Sequence, residues 1–124
     1  MKTGESSNVA RGQSFEQAAE RFLLARGLVS IARNFRCRLG EIDLVMREDD
    51  TLAFVEVRYR ASGARVSPLE TITAAKQRRI VLTAQYFLQK HPQYWQHPCR
   101  FDAVAVQGAP SSPRIDWIKG AFSA

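Results

Sequence analysis

Residues 40–60 read GEIDLVMREDDTLAFVEVRYR, and this segment constrains the chain more than any other. Two runs, Glu41–Arg47 and Thr51–Arg58, are rich in Val, Leu, Ile and Phe and are separated by Asp49-Asp50. Strand-forming runs joined across so short a polar turn predict an antiparallel hairpin. Each run carries an acid in its apolar interior: Asp43 between Ile42 and Leu44, and Glu56 between Val55 and Val57. Side chains alternate faces along a strand, so Glu56 and Arg58 point the same way. Carboxylates are rarely buried unless they are paired or bind a metal. Two of them on neighbouring strands repel each other, and a divalent cation relieves that repulsion. Oxygen donors of this kind suit Mg²⁺ or Mn²⁺. The competing arrangement pairs Asp43 and Glu56 with arginines across the sheet and leaves no metal site.

Around this hairpin the pattern predicts a helix from about Asn8 to Arg26, with Phe15, Ala18, Ala19, Phe22 and Leu23 on one stripe and Gly27 as its stop. Leu28 to Arg36 reads as a first strand, and residues 59–68 as a loop. A second helix fits Leu69 to Lys90, with Ile72, Ala75, Arg79, Leu82, Tyr86 and Phe87 as its buried face. His91-Pro92 ends it, because a residue before proline avoids the helical region. Arg100 to Val106 alternates as a fourth strand, and Arg114 to Ile118 reads as a short fifth at an edge. The order α-β-β-β-α-β(-β) predicts an α/β domain with a mixed central sheet flanked by helices. Residues 1–7 read as a flexible tail and 8–124 as a single domain.

The charge narrows the choice of partner. Lys plus Arg number 18 against 12 Asp plus Glu, a formal +6, and 14 of the bases are Arg. Arginine's planar fork of donors fits phosphate oxygens, which makes nucleic acid the first partner to consider, although the same excess also serves solubility. Cys37 and Cys99 are too few for a disulfide framework, and with His91 and His97 they do not show zinc-finger spacing. The amino-terminal residues have no apolar stretch of the signal-peptide kind, and the apolar run at 80–88 falls well short of the ~20 residues a membrane span requires. The expectation is a cytoplasmic chain without a membrane partner.

Several markers in order resemble a known family. They are Gly12, Phe15-Glu16 and Ala19 on the first helix, Asn34, GEIDLV at 40–45, FVEVR at 54–58, Lys76, RFDAV at 100–104 and Ala121-Phe122. From about Arg11 to Phe122 the chain resembles the YraN family of endonuclease-like proteins, within the PD-(D/E)XK nuclease superfamily. The resemblance implies a restriction-endonuclease-like core and metal-assisted phosphodiester hydrolysis with Mg²⁺ or Mn²⁺ as cofactor. Asp43 and Glu56 match the metal-binding carboxylates, Glu16 a helix-borne further ligand, and the Val57 carbonyl a strand-edge ligand.

Arg58 stands where the motif usually has Lys. Arginine keeps its proton, so Arg58 cannot act as a general base, though it can stabilise negative charge in the transition state. Lys76 either takes up part of that lysine's work or is a surface charge. Glu20, one turn after Glu16, is expected to face solvent, and Asp102 to bond Arg100 or cap a turn. Arg33, Arg36, Arg38, Arg60, Lys76 and Arg79 are the candidate nucleic-acid contacts, with Arg65 and Arg78 beside them. Tyr94, Trp95 and Trp117 read as packing aromatics.

Three functions compete at this level. The first is a Mg²⁺-dependent nuclease on DNA, structured or branched forms included. The second is a nucleic-acid-binding module of the same fold with little catalysis, which Arg58 keeps open. The third is a protein-interaction subunit that pairs through the sheet edge near residues 114–118. A homodimer is compatible with each.

Overall fold

The computed structural model describes residues 4–60, 72–108 and 111–124, with side chains from residue 14 onward. The described residues form helix α1 (Gly4–Ala25), strands β1 (Val29–Cys37), β2 (Gly40–Glu48) and β3 (Thr51–Arg60), helix α2 (Ala74–Lys90), a 3₁₀ turn at Pro92–Tyr94, and strands β4 (Cys99–Gln107) and β5 (Arg114–Phe122). The sheet order is β1-β2-β3-β4-β5. All neighbours are antiparallel except β3 and β4, which α2 connects in parallel. This is the mixed α/β sheet the sequence predicts, and it is compatible with the restriction-endonuclease-like fold. No helix among the described residues is long and apolar enough to cross a membrane. Arg65 and Leu69 lie outside the described residues, and the second helix begins at Ala74, after the extended cap Thr73, and so later than the predicted Leu69.

Each face of the sheet has its own core. Phe15, Ala19 and Leu23 of α1 pack on Leu44, Met46, Ala53, Val55, Val104 and Val106. The helix stops where the sequence places the stop: Gly27 takes φ 94°, and Leu28 N–H reaches back to the Leu23 carbonyl at 3.1 Å. That left-handed cap suits glycine. The helix begins at Gly4, four residues ahead of the predicted start.

The second core joins α2 to Ile42, Val45, Leu52, Phe54, Phe101 and Ala103. Here the buried face differs from the expected one. Ile80, Thr83, Ala84 and Phe87 are the buried residues of α2, whereas Ala75, Arg79 and Leu82 are exposed. The spacing i, i+3, i+4, i+7 is a better helical stripe, and it hides a threonine that the sequence reads as polar. Thr83 tolerates burial because its hydroxyl donates to the Arg79 carbonyl at 2.8 Å.

The hairpin turns at Asp49-Asp50, with Asp49 at φ 52° and Glu48 paired to Thr51. A second positive φ lies inside β1, at Asn34 (φ 51°), in the position opposite Asp43. Alternation breaks there on both strands. Ile42 belongs to the α2 core but Leu44 to the α1 core, and Phe35 packs with α2 while Arg33 bonds Glu20 of α1. Asparagine adopts the left-handed conformation more readily than other non-glycine residues, so Asn34 lets the strand turn over. β5 continues past the predicted Ile118 to Phe122, because Gly120 N–H donates to Asp102 at 3.0 Å and Phe122 stacks on Phe101.

Candidate metal and phosphate site

The ladder between β2 and β3 ends at Leu44 opposite Val55. One step further on, Val57 N–H donates to Asp43 Oδ2 at 2.8 Å, where a ladder partner would be a backbone carbonyl. A side chain has therefore taken over a strand's hydrogen bond, and the cleft lies at this point. Its volume is about 270 Å³, and four acids (Glu16, Glu41, Asp43, Glu56) and three bases (Arg58, Lys76, Arg79) border it.

Asp43 is the most perturbed acid there. Burial, then the negative charge of Glu56, pushes its carboxyl up to about 8 against the Val57 hydrogen bond, with Glu16 and Glu41 adding to the rise. Glu16 is also raised, chiefly by burial, while hydrogen bonds to Asn34 and Asp43 partly offset this.

Glu56 is buried and holds two cations on one oxygen. Lys76 Nζ lies 3.1 Å and Arg58 Nη1 3.4 Å from Oε2. Oε1 makes no hydrogen bond among the described residues. Lys76 arrives from the first turn of α2, whose cap Thr73 accepts the Lys76 N–H at 3.2 Å. Glu56 and Arg58 share a face as the alternation predicts.

Gly40 allows α2 to sit this close. A Cβ there would come within 2.9 Å of the Thr83 hydroxyl oxygen, so any side chain would push the helix off β2.

The expected contacts separate into groups. Arg58, Lys76 and Arg79 border the cleft. Arg33 and Arg36 lie on β1, paired with Glu20 at 2.7 Å and Glu41 at 3.1 Å. Arg38 stands in the turn after β1, beside Cys37, Leu39 and Tyr86, and is not among the residues that border the cleft. Arg60 ends β3 outside the cleft lining, with Nη1 on the Tyr59 carbonyl at 3.0 Å.

Glu20 corrects an expectation: it is buried, not solvent-facing. Ser30 and Arg33 of β1 reach it beneath α1. Burial disfavours its charge, but the hydrogen bonds from Arg33 and Ser30 and the Arg33 charge outweigh that and hold its carboxyl below the usual range. Trp95 corrects another, being 65% exposed. Glu41 was missed, although its position two residues before Asp43 in GEIDLV marked it.

Asp102 follows the structural expectation. It is fully buried and accepts hydrogen bonds from Arg100 Nε and Nη2, Trp117 Nε1 and Gly120 N. A larger cavity of about 370 Å³ lies between α2 and the β4–β5 end, but Phe54, Val81, Leu88 and Phe122 make it apolar and it shares no residue with the acids.

Among the described residues, no group of three or more His, Cys, Asp or Glu side chains is gathered closely enough to hold a metal ion by itself. Mg²⁺ does not ask for such a cage. It typically takes one or two carboxylates and completes its shell with water and substrate phosphate. Asp43 and Glu56, with one unengaged carboxylate oxygen, fit that pattern.

Comparison with known proteins extends over almost the whole chain. Residues 15–106 match the model of "Uncharacterised protein family UPF0102". A UPF0102 protein of Pseudomonas putida strain GB-1 is 48% identical over 118 residues, covering 94% of this chain and 96% of its own. UPF0102 proteins of Aeromonas hydrophila (46% identical; 91% and 85% covered) and Nitrosomonas europaea (47% identical; 94% and 97% covered) are similar at the same level. Matches of this identity and coverage leave one conclusion: the chain belongs to the UPF0102, or YraN-like, family.

Proposed function

We infer that the protein is a nuclease of PD-(D/E)XK type that hydrolyses phosphodiester bonds in DNA, structured or branched forms included, with Mg²⁺ or Mn²⁺ as cofactor. The observation that carries this reading is the meeting of Asp43 and Glu56 where β2 and β3 part. Burial, and then the charge of Glu56, raise the Asp43 carboxyl, and the Glu56 oxygen Oε1 has no hydrogen bond among the described residues. Asp43 and Glu56 would hold the cation, with Glu16 and the Val57 carbonyl as further oxygen donors bordering the same cleft. A divalent cation bound there supplies Lewis-acid polarisation of a phosphate and lowers the pKa of water.

The chain's own residues do the rest. Arg58 and Lys76 put two positive charges beside Glu56, where they offset the negative charge that grows on phosphorus oxygens during attack. Arg58 keeps its proton, so it orients and neutralises without acting as a base. Arg79 borders the same opening and extends the positive rim toward incoming phosphates.

The ion pairs on Glu56 also favour a second reading. Two cations on one carboxylate make a site that can grip phosphate without metal, as a nucleic-acid-binding module would. One experiment separates the two. Purified protein is incubated with single-stranded, duplex, flap and four-way-junction DNA, and with RNA, in Mg²⁺, Mn²⁺ or EDTA, beside Asp43→Ala and Glu56→Ala. Metal-dependent cleavage absent from both variants is expected. Cleavage equal in variants and parent overturns the nuclease reading, and salt-sensitive binding without cleavage supports the module.

A further inference from the structure

Two arginines on the edge strand are held in the same unusual way. Arg33 donates only its Nε to Glu20 (2.7 Å), and Arg36 only its Nε to Glu41 (3.1 Å). Both terminal nitrogens of each guanidinium are left without a hydrogen-bond partner among the described residues. Their side chains are 63% and 71% exposed, whereas that of Glu20 is only 7% exposed. Ser30 and Arg33 together keep the buried Glu20 carboxylate charged, and of Arg33 they engage only the Nε edge. A carboxylate that takes the Nε edge of an arginine fixes the plane of the fork and leaves its outer edge for a bidentate acceptor.

The break in alternation at Asn34 adds the second element. In a regular strand, residues three apart face opposite ways. Arg33 and Arg36 are nevertheless both exposed and lie either side of the left-handed Asn34. Three residues of strand correspond to about 10 Å, a span that reaches from one backbone phosphate to a near neighbour on the same strand. Continuity with the cleft gives the direction. Glu41 holds Arg36 and borders the cleft, and Glu16 borders both that cleft and the adjoining 260 Å³ cavity lined by Glu20, Arg33 and Asn34.

We propose that Arg33 and Arg36 form a phosphate rail on the edge strand β1, oriented by Glu20 and Glu41, along which a nucleic-acid backbone runs into the cleft. Glu20 and Glu41 are positioning residues: they touch the arginines and not the substrate. The proposal rests on the nucleic-acid reading above and adds which surface carries the strand.

The test exploits a sign. If the two acids merely dilute positive charge, replacing either with glutamine tightens DNA binding, because the chain gains a unit of positive charge. If they orient the forks, the same replacement weakens it. Binding of fluorescein-labelled single-stranded and duplex oligonucleotides is measured by anisotropy in EDTA, across a salt series, so that cleavage plays no part.

Glu20→Gln and Glu41→Gln are expected to weaken binding about three- to tenfold. Arg33→Ala and Arg36→Ala should each reduce the salt slope by about one, and Arg33→Lys should not restore it, since lysine has no fork. Glu41 is exposed, so Glu41→Gln keeps the question answerable if Glu20→Gln folds poorly in a melting check. Binding unchanged or tightened in both glutamine variants overturns the rail while leaving metal-dependent cleavage intact as a separate result. A parent protein that binds no nucleic acid overturns the rail and the nucleic-acid reading together.

Discussion

Lys76 on α2 and Glu56 on β3 meet across the cleft, Nζ to Oε2 at 3.1 Å. The strand position where the resemblance leads one to expect lysine holds Arg58, and Arg58 addresses the same oxygen from 3.4 Å. A lysine thus does reach Glu56, but from the helix α2 and not from the strand.

That geometry separates metal binding from turnover. Lys76→Met removes a cation that competes with a metal for Glu56, so Mg²⁺ affinity should hold or rise while cleavage falls about 100-fold. Arg58→Gln should cost less, about tenfold, because Lys76 remains. Calorimetric Mg²⁺ titration beside single-turnover cleavage of a labelled oligonucleotide checks the split. A Lys76→Met protein that cleaves at the parental rate removes lysine from the mechanism.

The raised carboxyl of Asp43 gives a pH dependence with a defined sign. Its value in the fold is about 8, above its ordinary 3.8, so the native state holds this proton more tightly than the unfolded chain does. The contribution of Asp43 to the stability of the metal-free protein should therefore be fully present below pH 4, be lost as pH climbs toward 8, and level off beyond. Glu20, whose carboxyl is lowered, works in the opposite direction at low pH. Asp43→Asn removes the titrating group and should raise the metal-free melting temperature at pH 8 but not at pH 4. Saturating Mg²⁺ should stabilise the parent at pH 8 and leave Asp43→Asn almost unchanged. Parallel melting curves for parent and variant across pH would refute the assignment.

Gly40 is where helix and hairpin touch. Gly40→Ala drives a methyl to within 2.9 Å of the Thr83 oxygen, at φ 157°, and should cost about 1–3 kcal/mol. Because α2 carries Lys76, cleavage should fall further than the loss of folded protein accounts for. Urea unfolding alongside activity per folded molecule measures both. A variant as stable as the parent would show that α2 can shift freely.

Asp102 should behave as a structural acid alone. Asp102→Ala leaves Arg100, Trp117 Nε1 and the Gly120 amide without their acceptor and should destabilise by about 3–5 kcal/mol. The Mg²⁺ affinity of the folded fraction should not change. A weakened metal titration in Asp102→Asn, which keeps the shape, would instead tie β4 to the cleft.

Much of this was legible beforehand because it depends on neighbours in the chain. The strand period puts Glu56 and Arg58 on one face, a two-residue acidic turn makes β2 and β3 a hairpin, and Gly27 ends α1. Asp43 and Glu56 were conspicuous because a carboxylate in an apolar strand demands a partner. The buried face of α2 lies one step from the stripe the sequence predicts, since Thr83 counts as polar until its hydroxyl finds the Arg79 carbonyl.

By itself, then, the sequence determined the order of elements, the two acids and the excess of arginine. Only the tertiary structure decided which charges meet. Asn34 turns the edge strand over opposite Asp43, α2 docks on Gly40 and delivers Lys76 to Glu56, and β1 closes over Glu20 and draws it into the interior. Local periodicity states which way a side chain points along its own element. Where two elements cross is set by packing between residues far apart in the chain, and that packing places the charges at the cleft.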